Sequence, residues 1–171
     1  MKKIIISTFL VFVMVFYITG CKKVACGPNE DDFTFSLTWG CYGISSYDSE
    51  TGVLVKTNDA TNPEEYMTTY YLTEEEKEQI FDLIMELDME SYPDVYNPHK
   101  DGLMSRPSMT LILSVNTMDF EKTITAEDIA LSYETDNIKG QKFLYICKMI
   151  QDILMETEEW ETLPEYEFLY D

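Results

Sequence analysis

From residue 33 onward, apolar and polar positions repeat with two different periods, and the changes of period divide the chain into elements. Phe33-Thr34-Phe35-Ser36-Leu37-Thr38-Trp39 alternates without a break, the two-residue period of a half-buried strand. Glycines at 40 and 43 let that strand bend as it continues toward Ser46-Tyr47. Asp48-Ser49-Glu50-Thr51-Gly52 has the composition of a turn, and Val53-Leu54-Val55-Lys56 returns as a second strand. Asn58 to Glu65 reads as a loop, and the Thr and Tyr content from Met67 to Leu72 predicts a third strand.

The period then lengthens. Thr73 and Glu76 form a capping box, three acids complement the first turn, and Ile80, Leu83, Ile84 and Leu87 recur at helical spacing. Ser91 to Pro107 reads as a long loop with three prolines. Ser108 to Val115 and Phe120 to Ile124 predict a second hairpin, turned over Asn116 to Asp119. Thr125-Ala126-Glu127-Asp128 predicts the cap of a short helix. Lys139 to about Glu156 predicts the second long helix, with Phe143, Leu144, Cys147, Ile150 and Leu154 on one stripe. The expected fold is α+β: an antiparallel sheet of about five strands, in two hairpins, with two long helices packed on one face.

The first 21 residues obey neither period. Met1-Lys2-Lys3 is basic, and Ile4 to Ile18 is apolar but for Ser7 and Thr8. That run is shorter than the ~20 residues of a bilayer-spanning helix, so it reads as a secretory signal peptide. An uncleaved N-terminal anchor is the competing reading. Ile18-Thr19-Gly20-Cys21 resembles the bacterial lipobox at all four positions. The resemblance implies a bacterial lipoprotein, cleaved between Gly20 and Cys21, with a diacylglycerol on the Cys21 thiol. It implies a partner in the membrane, reached through that lipid, and a body facing outside the cytoplasm. The expected organisation is a removed leader at 1–20, a flexible tether at 21–32, and one acidic α+β domain at 33–171.

Charge narrows the partners. Twelve basic residues face 32 acidic ones, for a formal net charge of −20. Lys2 and Lys3 are the only charges before Cys21, so the remainder carries −22. Such a body repels nucleic acid and anionic headgroups and attracts cationic proteins, peptides or divalent ions.

Little in the sequence points to catalysis. No residue set matches a catalytic motif or a zinc site, and no cofactor or metal is expected. His99 is the only histidine. It would need Cys41 or a serine as nucleophile and Asp94 or Asp101 to orient it, and its polar surroundings predict a solvated loop residue. Asp48-x-Glu50-x-Gly52 is similar to the start of a calcium loop but lacks the later ligands. Cys147 is expected as a buried free thiol; a bridge between Cys26 and Cys41 is left open. Gly40-Cys41-Tyr42-Gly43 loosely resembles a segment that small bacterial lipoproteins place before a hairpin, which implies no activity. Tyrosines 66, 70, 71, 92 and 96 are candidates for stacking, against a plainer role at the sheet margins. The C-terminal stretch, with Trp160, Tyr166, Phe168 and Tyr170, is expected to pack back on the domain, or else to be the interaction surface. The reading is a lipid-anchored envelope protein that binds a protein, peptide or cell-wall component without catalysis. An inhibitor or immunity-type protein acting on a basic partner is the alternative, and a hydrolase ranks behind both.

Overall fold

The computed structural model describes residues 32–41, 44–99, 108–130 and 135–165. The leader, Cys21, the tether and Tyr166, Phe168 and Tyr170 lie outside these residues. Among the described residues ten strands and α-helices follow one another: β1 (Thr34–Gly40), β2 (Ser45–Asp48), β3 (Val53–Val55), β4 (Met67–Thr69), α1 (Glu74–Met85), β5 (Val95–Tyr96), β6 (Met109–Asn116), β7 (Glu121–Ile129), α2 (Ile138–Met155) and α3 (Glu158–Thr162). The strands form one sheet in the order β4-β3-β2-β1-β6-β7-β5.

The fold is α+β, as the periods predict, but the sheet has seven strands rather than five and is mixed rather than antiparallel. Three expectations fail. β2 is a strand of its own, folded back antiparallel on β1 and not the continuation of the first strand. β5 is only two residues long, too short for any periodicity to register, and it pairs parallel to β7 through Val95 with Thr125 and Tyr96 with Ala126. Thr125–Asp128, read as a helix cap, instead continues β7 to Ile129. There the strand gains neighbours on both sides, and ladder pairing outweighs the local capping pattern. A register shift between Met109 and Leu111 inserts one extra residue into β7. Asp128 takes it up with φ at 56°, and the buried positions step from Ala126 to Ile129.

The alternation of β1 sorts its side chains as the sequence requires. Phe35, Leu37 and Trp39 are buried, opposite Val115, Leu113 and Leu111 of β6. Tyr47 of β2 and Leu54 of β3 extend the same face. Ile80 and Ile84 of α1 join Phe143, Leu144, Cys147, Ile150 and Leu154 of α2 in one cluster with these strand residues. The helices therefore cover one face of the sheet. The opposite face carries small polar or β-branched side chains, such as Ser36, Thr38, Val55 and Ile112, all half-buried.

The capping box at Thr73 is present: Glu76 N–H donates to Thr73 Oγ1, and Thr73 N–H donates to Glu76 Oε2 at 2.8 Å. At its other end α1 stops after Met85, and the Lys142 ammonium of α2 donates to the Glu86 carbonyl. Among the described residues, no helix is long and apolar enough to cross a membrane.

Candidate functional site

The clearest site lies where β1 begins. The β2–β3 turn is closed by Asp48, whose carboxylate accepts from the Thr51 N–H and hydroxyl. Ser49 ties the turn to β1 at two points: its N–H donates to the Phe35 carbonyl at 2.9 Å, and its Oγ accepts from the Phe35 N–H at 2.8 Å. Gly52 sits at φ +71°, and its carbonyl accepts from the Tyr70 N–H. A Cβ there would stand 2.8 Å from Tyr71 Cε1 and 2.9 Å from the Tyr70 carbonyl oxygen. Only glycine suits this position, because it supplies the left-handed backbone and the space for the Tyr71 ring.

Between this turn and the start of α1 a cleft of about 310 Å³ opens to solvent. Its floor is Phe33, Phe35, Tyr47 and Leu72. Phe33 stacks with Phe35 at 5.7 Å, and Phe35 meets Tyr47 at 5.7 Å. Its rim carries Ser49, Glu50, Tyr71 and Lys77. Tyr71 is 69% exposed, the one ring of the five described candidate tyrosines that stays open. Tyr92 and Tyr96 are buried against Phe143.

The polar groups behind the cleft satisfy each other. The Tyr47 hydroxyl donates to the Tyr70 carbonyl at 3.2 Å. The Tyr70 hydroxyl and the Thr73 hydroxyl both donate to Glu76 Oε2. Burial pushes the Tyr47 hydroxyl up to about 12 and raises that of Tyr70, which its bond to Glu76 raises further. Burial works against the charged form of Glu76, yet the hydrogen bonds from Thr73 and Tyr70 outweigh it and hold its carboxyl below the usual value.

The rim charges are different. Among the described residues, neither Lys77 nor Glu50 has an ion-pair partner. The other five described lysines are engaged: Lys56 with Glu165, Lys122 with Asp94, Lys148 with Asp152, Lys139 with the Ser91 carbonyl and Lys142 with the Glu86 carbonyl.

His99 departs from expectation. It is buried, not solvated, at the opposite corner of the sheet. Its Nε2 accepts from the Ala130 N–H at 3.2 Å, and its own N–H donates to Asn97 Oδ1 at 2.8 Å. Gly140 in the first turn of α2 makes room for the residue before His99, since a Cβ there would sit 2.2 Å from the Pro98 carbonyl oxygen. Cys41 follows β1, whereas His99 bonds Ala130 just past β7, two strands away in the sheet order, roughly 10 Å at one spacing per strand. The fold does not bring this pair together. Asp94 bonds Lys122, and Asp101 lies outside the described residues.

Trp160 is buried too. Its ring stacks on Trp39 at 5.8 Å, and Lys56 Nζ lies 5.5 Å over it, so α3 seals the core beside β3 and does not present Trp160 to a partner. Cys147 is buried as a free thiol, and burial raises its pKa. Among the described residues, no group of three or more His, Cys, Asp or Glu side chains is placed to hold a metal ion. The turn at Asp48 and Glu50 is a turn, its Asp48 carboxylate bound to Thr51. The sequence signalled the cleft only through its turn and its tyrosines; the free state of Lys77 had no sequence signal. No protein-family model matches this chain, and no curated protein matches it either.

Proposed function

We propose that the chain is a lipid-anchored envelope protein that binds a protein, peptide or cell-wall component outside the cytoplasm, without catalysing a reaction, and that the cleft beside Phe33 is its recognition site. The observation that carries this reading is the cleft itself. Its volume of about 310 Å³ falls at the small end of the ~300–1,000 Å³ range of ligand sites, and an aromatic floor under a few polar groups is their usual composition. The lipobox resemblance at Ile18-Thr19-Gly20-Cys21 supports the anchor. Two acyl chains on Cys21 would hold the protein stably where one would not.

Two experiments test the two halves. Cys21→Ala is expected to abolish acyl labelling and partition into detergent; a variant that still labels ends the lipoprotein reading. A photo-crosslinking side chain at Tyr71 is expected to capture a partner in living cells that the same group at Tyr145, exposed on α2, does not. Equal capture at both positions rules out the cleft as the recognition site.

A second reading, an inhibitor or immunity-type protein for a basic partner, is favoured by the outer side of α1. Glu74, Glu75, Glu78, Asp82 and Glu86 are all exposed there. Its partner would dissociate as salt is raised, because exposed charges beyond a Debye length are screened.

A further inference from the structure

The rim of the cleft carries two charges that nothing among the described residues neutralises, and they have opposite signs. Lys77 is the telling one. In a chain with 32 acidic residues, five of the six described lysines find an acceptor, and the sixth stands at the edge of an aromatic cleft. Glu50 stands on the same rim, exposed and also without an ion pair among the described residues.

We propose that the cleft binds a short zwitterionic peptide of apolar residues, with a side chain on the floor of Phe33, Phe35, Tyr47 and Leu72, its carboxylate on Lys77 and its amino group on Glu50. This rests on the reading of the cleft as a recognition site and names what it recognises. The floor sets the apolar part, since Phe33, Phe35 and Tyr47 present ring surface and Leu72 an aliphatic one. The rim sets the charged part. A neutral glycan would cover Lys77 and Glu50 and leave each without a counter-charge, whereas a zwitterion meets both. Size sets the length: a cleft this small holds a residue or two, not an extended chain or a folded surface. Ser49 adds one donor, because its Oγ accepts from the Phe35 N–H and its own proton is free to point into the cleft.

The test uses the acylated protein purified in detergent and titrated calorimetrically with the dipeptide phenylalanylleucine, its C-terminal amide and its N-acetyl derivative. The free dipeptide is expected to bind saturably, and amidation to weaken it about tenfold, the value of one partly exposed charge-assisted contact. Lys77→Gln is expected to weaken the free dipeptide by the same factor and to leave the amide unaffected, because the two changes remove one contact. Glu50→Gln and the N-acetyl derivative are expected to behave as a second such pair. Melting temperatures of both variants establish that they fold. Equal affinity for acid and amide, or losses at Lys77 that ignore the carboxylate, overturns the assignment. Absence of dipeptide binding overturns it as well. If the photo-crosslinker at Tyr71 still captures a specific partner in that case, the recognition site stands and only its ligand class falls. If neither binds, both readings fall.

Discussion

At the corner of the domain where β1 begins, polar side chains rim an open cleft, and two of the charged ones have no ion-pair partner among the described residues. At another corner, where β7 ends beside β5, the described side chains of His99, Asn97 and Thr135 are closed off in bonds with the surrounding backbone. Each corner depends on one glycine. Gly52 clears space for the Tyr71 ring, and Gly140 clears space for the Pro98 carbonyl. The difference lies in what the cleared space admits. At Gly140 the protein's own backbone fills it, while at Gly52 it positions a ring that is still 69% exposed. A histidine that accepts a backbone N–H serves the fold; a lysine without an ion-pair partner among the described residues remains available to a ligand.

Substitutions at the closed corner are expected to hit stability hardest. Gly140→Ala puts a Cβ against a carbonyl oxygen that cannot rotate away, and the strain is expected at about 3 kcal/mol, a fall of roughly 10 °C in melting temperature. Affinity at the cleft is expected to survive. His99→Leu leaves the Ala130 N–H without its acceptor, at about 2 kcal/mol, with lost exchange protection at that amide as the direct readout. Gly52→Ala is expected to be milder in denaturant, about 1–2 kcal/mol for the left-handed backbone, but to weaken ligand binding through the displaced Tyr71 ring.

Glu76→Gln sharpens the comparison by acidity. The folded-state pKa of Glu76 is lowered, so its stabilisation is complete above the unfolded value near 4.5 and is lost as pH falls through the folded value. Wild type is therefore expected to be the more stable at neutral pH, but by less than about 1 kcal/mol, since the carboxyl is partly exposed and Gln can still close the capping box. Paired melting curves in progressively acid solution are expected to converge below that unfolded value. The smallest effect belongs to Lys77→Gln, where a change of less than about 0.5 kcal/mol in stability is expected, since no described partner is lost. A large loss there would mean that Lys77 is structural after all, and would erase the contrast between the corners.

The sequence carried the elements whose signals are local and repeated. Phe33 to Trp39 announces β1, Thr73 with Glu76 announces the start of α1, and the stripe from Phe143 to Leu154 announces α2. It failed where distant pairing decides. Thr125–Asp128 satisfies a capping pattern locally, but β6 and β5 claim it from either side. The imidazole of His99 is held by the Ala130 N–H past β7, a partner the loop meets only after folding. The aromatic floor of the cleft was legible as alternation without being legible as a site. Trp160, in an aromatic stretch expected to pack back on the domain, does so against Trp39.

The position of β1 has a mechanical consequence. It is the first strand among the described residues and also the middle strand of the sheet, paired to β6 along its whole length from Thr34 to Gly40 and to β2 from Ser36 to Trp39. Tension applied through Asp32 would load these ladders lengthwise and together, in shear, instead of peeling an edge strand bond by bond. A domain pulled by its N-terminal end would therefore meet the applied force with two ladders loaded at once.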